Sequence, residues 1–186
     1  MGRYLSTAHD LSAPSAARGC MDSLVQGSLV DLFSAYSVAV APLPRMAGPT
    51  VAGFPDICVG IAFKCAARDC DAGRLTLSVP SLLLKHMKGD ETPSIQLDWA
   101  RELASQLIGR IKNRLLPFAT RLEIGSSSTI NVRDLQDRLQ GPLDVRVYAG
   151  RTLRGLVLVT LEGLPRDSSL KYEGTPAATE GTLLWL

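Results

Sequence analysis

The sequence is poor in the features that would announce a function at once. Its 186 residues hold two histidines, His9 and His86, and four cysteines, and its charges nearly cancel: 20 Lys+Arg against 18 Asp+Glu, a formal net charge of +2. Balanced charge removes the overall electrostatic case for binding nucleic acid or an anionic membrane, so partners have to be argued from sites. Scarce histidine weighs against zinc. Cys65 and Cys70 have a ligand-like spacing, yet His9 lies in a polar leader and His86 beyond a strand-like segment. Apolar runs such as Leu82 to Leu84 and Leu156 to Val159 fall far below the ~20 residues that span a bilayer. The first residues, MGRYLSTAHDLSAPSAARG, lack the apolar core of ~7–15 residues that a signal peptide requires. These absences predict a soluble cytoplasmic protein with no membrane partner, whose Cys20, Cys58, Cys65 and Cys70 are free thiols. No internal repeat or low-complexity block is present, and no Ser/His/Asp set, phosphate-binding glycine loop or nucleic-acid motif.

What is present is apolar material for one core: 46% of the chain is hydrophobic and 20% charged, over a length too short for two ordinary domains and a linker. Residues 1–18 read as a flexible leader and 165–186 as a C-terminal tail, around one domain at 19–164. The Leu183-Leu184-Trp185-Leu186 end is suited to docking on the body or on a second subunit.

Within the domain, Asp22 is a candidate N-cap for a helix to about Tyr36, with Leu24, Val25, Ser28, Leu29, Leu32 and Phe33 on one face. The stretch APLPRMAGPTVAGFP reads as loop or edge. Ile57 to Lys64 and Arg74 to Val79 read as strands joined by a polar hairpin loop, CAARDCDAG. A short helix from Ser81 to Met87 and a loop, KGDETPS, follow. The strongest element runs from Leu97 to Leu116, where Ala100, Leu103, Ala104, Leu107, Ile108, Ile111 and Leu115 form one apolar stripe and Pro117 stops the helix. Beyond it come a strand from Thr120 to Ile124, a short helix or structured loop from Asn131 to Leu139, and a hairpin of Val145 to Ala149 with Leu153 to Leu161, turning at Gly150. This order predicts an α+β fold, a mainly antiparallel sheet packed with one long helix.

Opposite the stripe, Asp98, Glu102, Ser105 and Gly109 follow one another at steps of four, three and four, so they form a single ridge. A glycine in mid-helix costs ~1 kcal/mol relative to alanine and lets another backbone or a bulky side chain come close. The bland reading of this ridge is a solvated face with a tolerated glycine. Likewise, Arg110, Lys112 and Arg114 offset the helix dipole at its C-terminus, and their other reading is a patch for an acidic surface.

The segment DWARELASQLIGRIKNRLL resembles the active-site helix of the CheX/CheC class of chemotaxis phosphatases, which is related in fold to the FliM switch proteins. The family pattern is an acidic residue or Ser, three positions, Glu, two positions, Asn, and a Pro about twenty residues on. Asp98 and Glu102 match it, Ser105 stands where the Asn belongs, and Ser128 in LEIGSSSTI stands near the place of the Pro. The resemblance extends more loosely through ICVGIAFKC, GRLTLSVPSLL and VRVYAG. It implies hydrolysis of the aspartyl phosphate on a CheY-like response-regulator receiver domain. In that scheme Glu102 pairs with the receiver's lysine, Ser105 takes the water-orienting place, and Asp98, Gln106 and Gly109 complete the binding face. The chain would need no cofactor of its own, because the receiver supplies the Mg²⁺. Phosphoryl transfer asks for positioning and charge neutralisation more than covalent chemistry, so such a division of labour is workable. A hydroxyl is shorter than a carboxamide, so the substitution at Ser105 raises the alternative of a receiver-binding scaffold with little or no hydrolysis. The resemblance also implies a homodimer formed through a sheet edge, an exposed edge being one that must be covered or paired.

Overall fold

The stripe from Ala100 to Leu115 organises the chain, and in the computed structural model all of its residues are buried. The described residues are 21–44, 55–65, 72–89, 92–140, 145–165, 167, 170 and 172–174. The leader, Cys20, Cys70, the tip of the 66–71 loop and the Leu183 to Leu186 end therefore lie outside them, as does most of the Pro/Gly stretch.

Helices α1 (Met21–Ser34), α2 (Ser81–Lys88), α3 (Pro93–Leu115) and α4 (Val132–Gln140) accompany strands β1 (Ala41–Pro42), β2 (Ile57–Cys65), β3 (Gly73–Val79), β4 (Leu122–Thr129), β5 (Arg146–Thr152) and β6 (Gly155–Glu162). The strands form one sheet in the order β1-β5-β6-β3-β2-β4, every pairing antiparallel. Alternation along the strands sends Val59, Ile61, Phe63, Leu75, Leu77, Val157, Val159 and Leu161 to one face, where α1, α2 and α3 cover them. The other face carries α4, whose Leu135 packs on Cys58 and Ile130. The fold is the expected α+β arrangement, with the long helix on an antiparallel sheet.

Several boundaries differ from the sequence reading, each for a local reason. Helix α3 begins at Pro93 rather than Leu97, because Pro fits the first helical position and its missing N–H costs nothing there. Asp22 lies inside the first turn of α1, where its carboxylate accepts the Tyr148 hydroxyl at 2.8 Å. Burial, and then this carboxylate, push the Tyr148 hydroxyl pKa well above its ordinary value. Strand β4 extends to Thr129, well past Ile124. Its register against β2 shifts between Ile61 and Phe63, so a bulge interrupts the alternation that marks a strand. The last hairpin turns at Leu153 and Arg154, not at Gly150. Gly150 is paired with Val157 inside the strands, and a Cβ there would sit 2.4 Å from Val40 Cγ1. That glycine marks close packing, not a turn.

Two ties hold α1 against α3. Arg114 near the end of α3 pairs with Asp31 of α1. Farther toward the start of α3, Tyr36 bonds to Gln106 from just beyond the end of α1, which closes with Ser37 in the left-handed region at φ 58, the Ser37 N–H bonding to Ser34 O and the Val38 N–H to Phe33 O. This is the hydrogen-bond pattern of a Schellman cap with serine in the place usually taken by glycine, and it sets the direction of Tyr36. Cys58 and Cys65 are free and buried, and burial pushes the Cys58 thiol up from its ordinary value. After β6, Leu170 packs on the core, and the Glu173 N–H bonds to Pro117 O at 2.8 Å.

Leu107 is fully buried at the centre of the α3 stripe. Replacing it by Ala is expected to lower unfolding free energy by ~2–5 kcal/mol, measured by denaturant titration, whereas a change below ~0.5 kcal/mol would mean the stripe does not carry the fold.

Candidate functional site

A helix that buries one stripe must turn the residues half a circumference away toward solvent. Asp98, Glu102 and Ser105 are exposed, and Gln106 and Gly109 are half-buried beside them. They sit on one length of α3 whose backbone is held by the core beneath it.

Each ridge residue has a distinct environment. Asp98 accepts Arg101 Nη1 at 2.7 Å across one helical turn, and Arg101 Nη2 donates onward to Thr129 Oγ1 at 3.1 Å. The charge of Asp98 is thus matched, and the N-terminal part of the ridge is tied to the end of β4. Glu102 accepts the Gln106 Nε2 amide at 2.9 Å, and Gln106 Oε1 accepts the Tyr36 hydroxyl at 2.9 Å. Among the described residues no cation pairs with Glu102, so its carboxylate is exposed, held and uncompensated. Ser105 Oγ donates to Arg101 O at 2.9 Å, one turn back along its own helix. Such back-bonding turns the hydroxyl proton inward and leaves the oxygen lone pairs outward, so in this state Ser105 presents an acceptor.

Gly109 does not serve internal packing: a Cβ there would meet nothing within 4 Å. The close approach allowed by its missing side chain is therefore not used by this chain's described residues. Ser128 pairs with Gly60 and Thr129 with Val59. Alternation therefore puts Thr129 on the helix-covered face and Ser128 on the other. The position expected from the family Pro contributes its neighbour, not its own side chain, to the ridge. Sequence reading missed Tyr36, Arg101 and Thr129. Arg101 was accessible as an i,i+3 partner of Asp98; Tyr36 and Thr129 reach the site only through tertiary packing and had no local signal.

The site is an exposed face of a helix. Two surface clefts, of about 120 and 270 Å³, are lined by other residues, including His86 and Arg154 in one and Phe63 and Ile124 in the other. Among the described residues no group of three or more His, Cys, Asp or Glu could hold a metal ion, and no helix is long and apolar enough to cross a membrane.

No family model matches the chain, and no curated protein matches it. Solved structures do. The chemotaxis protein CheX from Vibrio vulnificus superposes with a TM-score of 0.61 at 13% identity, covering 80% of this chain and 99% of that one. A CheC-like superfamily protein from Shewanella sp. PV-4 gives 0.62 at 12% identity, covering 78% and 97%. The CheX of a CheX–CheY–BeF3–Mg complex from Borrelia burgdorferi gives 0.50 at 10% identity, covering 76% and 94%. The chain has the CheX/CheC-like fold.

Proposed function

We propose that this chain docks the α3 ridge on a phosphorylated response-regulator receiver domain and promotes hydrolysis of its aspartyl phosphate. The observation that carries the proposal is the exposed carboxylate of Glu102, held by Gln106 and paired with no cation among the described residues. The CheX of Borrelia burgdorferi, a protein of the same fold, is found in complex with CheY. A receiver's phosphoaspartate lies in a pocket that the receiver itself builds, including a lysine and the site for Mg²⁺, so the visiting protein needs an outward anchor and a group that orients water.

Glu102 is the anchor, its carboxylate accepting the receiver's ammonium group. Gly109, one turn beyond Ser105, gives the receiver's backbone room to approach. Ser105 Oγ, with its lone pairs outward, accepts a hydrogen bond from the attacking water and aims the water oxygen at phosphorus, the water's protons passing to the departing phosphate and bulk solvent. As the new P–O bond forms, the bond to the aspartyl oxygen breaks, giving inorganic phosphate and a free carboxylate. The receiver's own site would hold Mg²⁺, which would supply charge neutralisation at the phosphoryl group. Asp98, fixed by Arg101, lies at the edge of the contact.

A second reading is a receiver-binding scaffold without hydrolysis. The bond from Ser105 Oγ to Arg101 O favours it, since a short hydroxyl turned toward its own helix reaches less far than a carboxamide. The loss of one well-placed orienting group typically costs several kcal/mol of transition-state stabilisation, by analogy with oxyanion donors.

The lifetime of receiver aspartyl phosphate, measured across a panel of CheY-like domains with and without the chain, separates these readings. Glu102→Ala is expected to weaken receiver binding by ~1.5–3 kcal/mol, the worth of a charge-assisted hydrogen bond. Ser105→Asn is expected to shorten the phosphate lifetime beyond wild type. Binding that depends on Glu102, with no hydrolysis in either wild type or Ser105→Asn, would leave the scaffold reading standing. Binding indifferent to Glu102 would return the ridge to a plain solvated face.

The proposal includes self-association. Strand β4 lies at one end of the sheet, and its residues from Glu123 to Thr129 are exposed. An uncovered edge of this length is a template for another strand. Sedimentation at micromolar concentration is expected to show a dimer; a monomer throughout that range would remove this part.

A further inference from the structure

We infer that Tyr36 and Gln106 are positioning residues that hold Glu102 in the conformation in which it receives a partner's ammonium group. The inference rests on the reading of Glu102 as the docking anchor, but its physical content can be tested in the free chain.

The polarity of the hydrogen-bond chain is forced by chemistry. An ionised carboxylate only accepts, so the amide nitrogen of Gln106 must face Glu102 Oε1, at 2.9 Å. The Gln106 carbonyl then faces Tyr36, and the hydroxyl must donate to it, also at 2.9 Å. Both ends of the carboxamide are engaged, and only one carboxylate oxygen of Glu102 is used. The second, Oε2, remains for a donor from outside.

Tyr36 is a suitable fixed point because it does not belong to α3. It follows α1 in the left-handed cap at Ser37, and its ring packs on the main core. It also meets Trp99 in a T-shaped contact, with ring centroids 5.3 Å apart and planes at 82°. Lys88 Nζ lies 5.4 Å from the centroid of the Trp99 ring, covering that indole. The hydroxyl is thus placed by aromatic packing, and it transmits that placement through Gln106 to an exposed side chain that would otherwise sample several rotamers. A long carboxylate that is already ordered loses less freedom when it binds, which is the gain of preorganisation.

The arrangement also explains why Gln106, the nearest carboxamide to the position of Ser105, is not a substitute for the family Asn. One of its N–H groups is committed to Glu102 and its oxygen to Tyr36, and rotating the carboxamide away from both would release the anchor.

The test uses the full chain and two variants, Tyr36→Phe, which removes only the hydroxyl, and Gln106→Leu, which removes the link. Three-bond couplings to Glu102 Cγ by NMR report its χ1 distribution in the free protein. The expected result is one dominant rotamer in wild type and rotamer averaging in both variants, with unchanged thermal midpoints. Affinity for a receiver domain loaded with beryllofluoride and Mg²⁺ should then fall about two- to ten-fold in each variant, the effect of freeing one flexible side chain. Averaged couplings in wild type, or couplings and affinity in both variants equal to wild type, would overturn the inference. If Tyr36→Phe perturbs folding, the Glu102 couplings in Gln106→Leu decide alone, since Gln106 itself lies on the proposed contact face. Unaltered receiver binding by Glu102→Ala would instead overturn the anchor reading, while the couplings in the free chain still report whether the positioning chain exists.

Discussion

Everything at the candidate site depends on the rotational setting of α3. Leu103, Leu107, Ile108 and Ile111 are fully buried against the sheet, and a helix advances 100° per residue, so burying that stripe dictates what faces out. Turning α3 by one residue would drive Ser105 toward the core and lift Leu107 from it, which apolar burial alone forbids at a few kcal/mol per large side chain. The ridge of Asp98, Glu102 and Ser105 is the geometric complement of the core stripe, and its aim is as firm as the core.

The neighbours of α3 refine that setting. Arg114 and Asp31 tie its last turn to α1, and Tyr36 and Trp99 tie its first half to the cap that ends α1. Arg101 reaches from α3 to Thr129 at the end of the edge strand. The exposed face is therefore braced from both sides by elements that are remote in sequence. Glu102 stands out in this setting because Asp98 has its arginine while Glu102 has only neutral partners. On the function proposed above, the cation for this held, exposed carboxylate belongs to another molecule.

The sequence disclosed those features whose cause is periodic. The α3 stripe, the apolar face of α1, the β2–β3 hairpin and the α+β class all follow from spacings of three to four or of two, and each is found where the spacing places it. The resemblance of the α3 segment to CheX/CheC proteins is matched by the fold. What stayed hidden has no local signature. The bulge in β4 disguises a strand in a Gly-Ser run, the glycine at 150 serves the packing of Val40 rather than a turn, and Tyr36 meets Gln106 only because two helices pack side by side. Ser105 could be placed on the ridge from spacing, but the inward direction of its hydroxyl could not, since that depends on which acceptor the folded helix offers.

The most direct test of the central claim, that the outward ridge of α3 is the functional surface, is an amide chemical-shift titration of the labelled chain with a beryllofluoride- and Mg²⁺-loaded CheY-like receiver. The account predicts saturable shifts clustered at Asp98, Glu102, Ser105, Gln106 and Gly109, with the β5–β6 turn at Leu153 unaffected. Shifts centred away from α3 with the cognate receiver, or none at saturating concentration across the receiver panel, would contradict it.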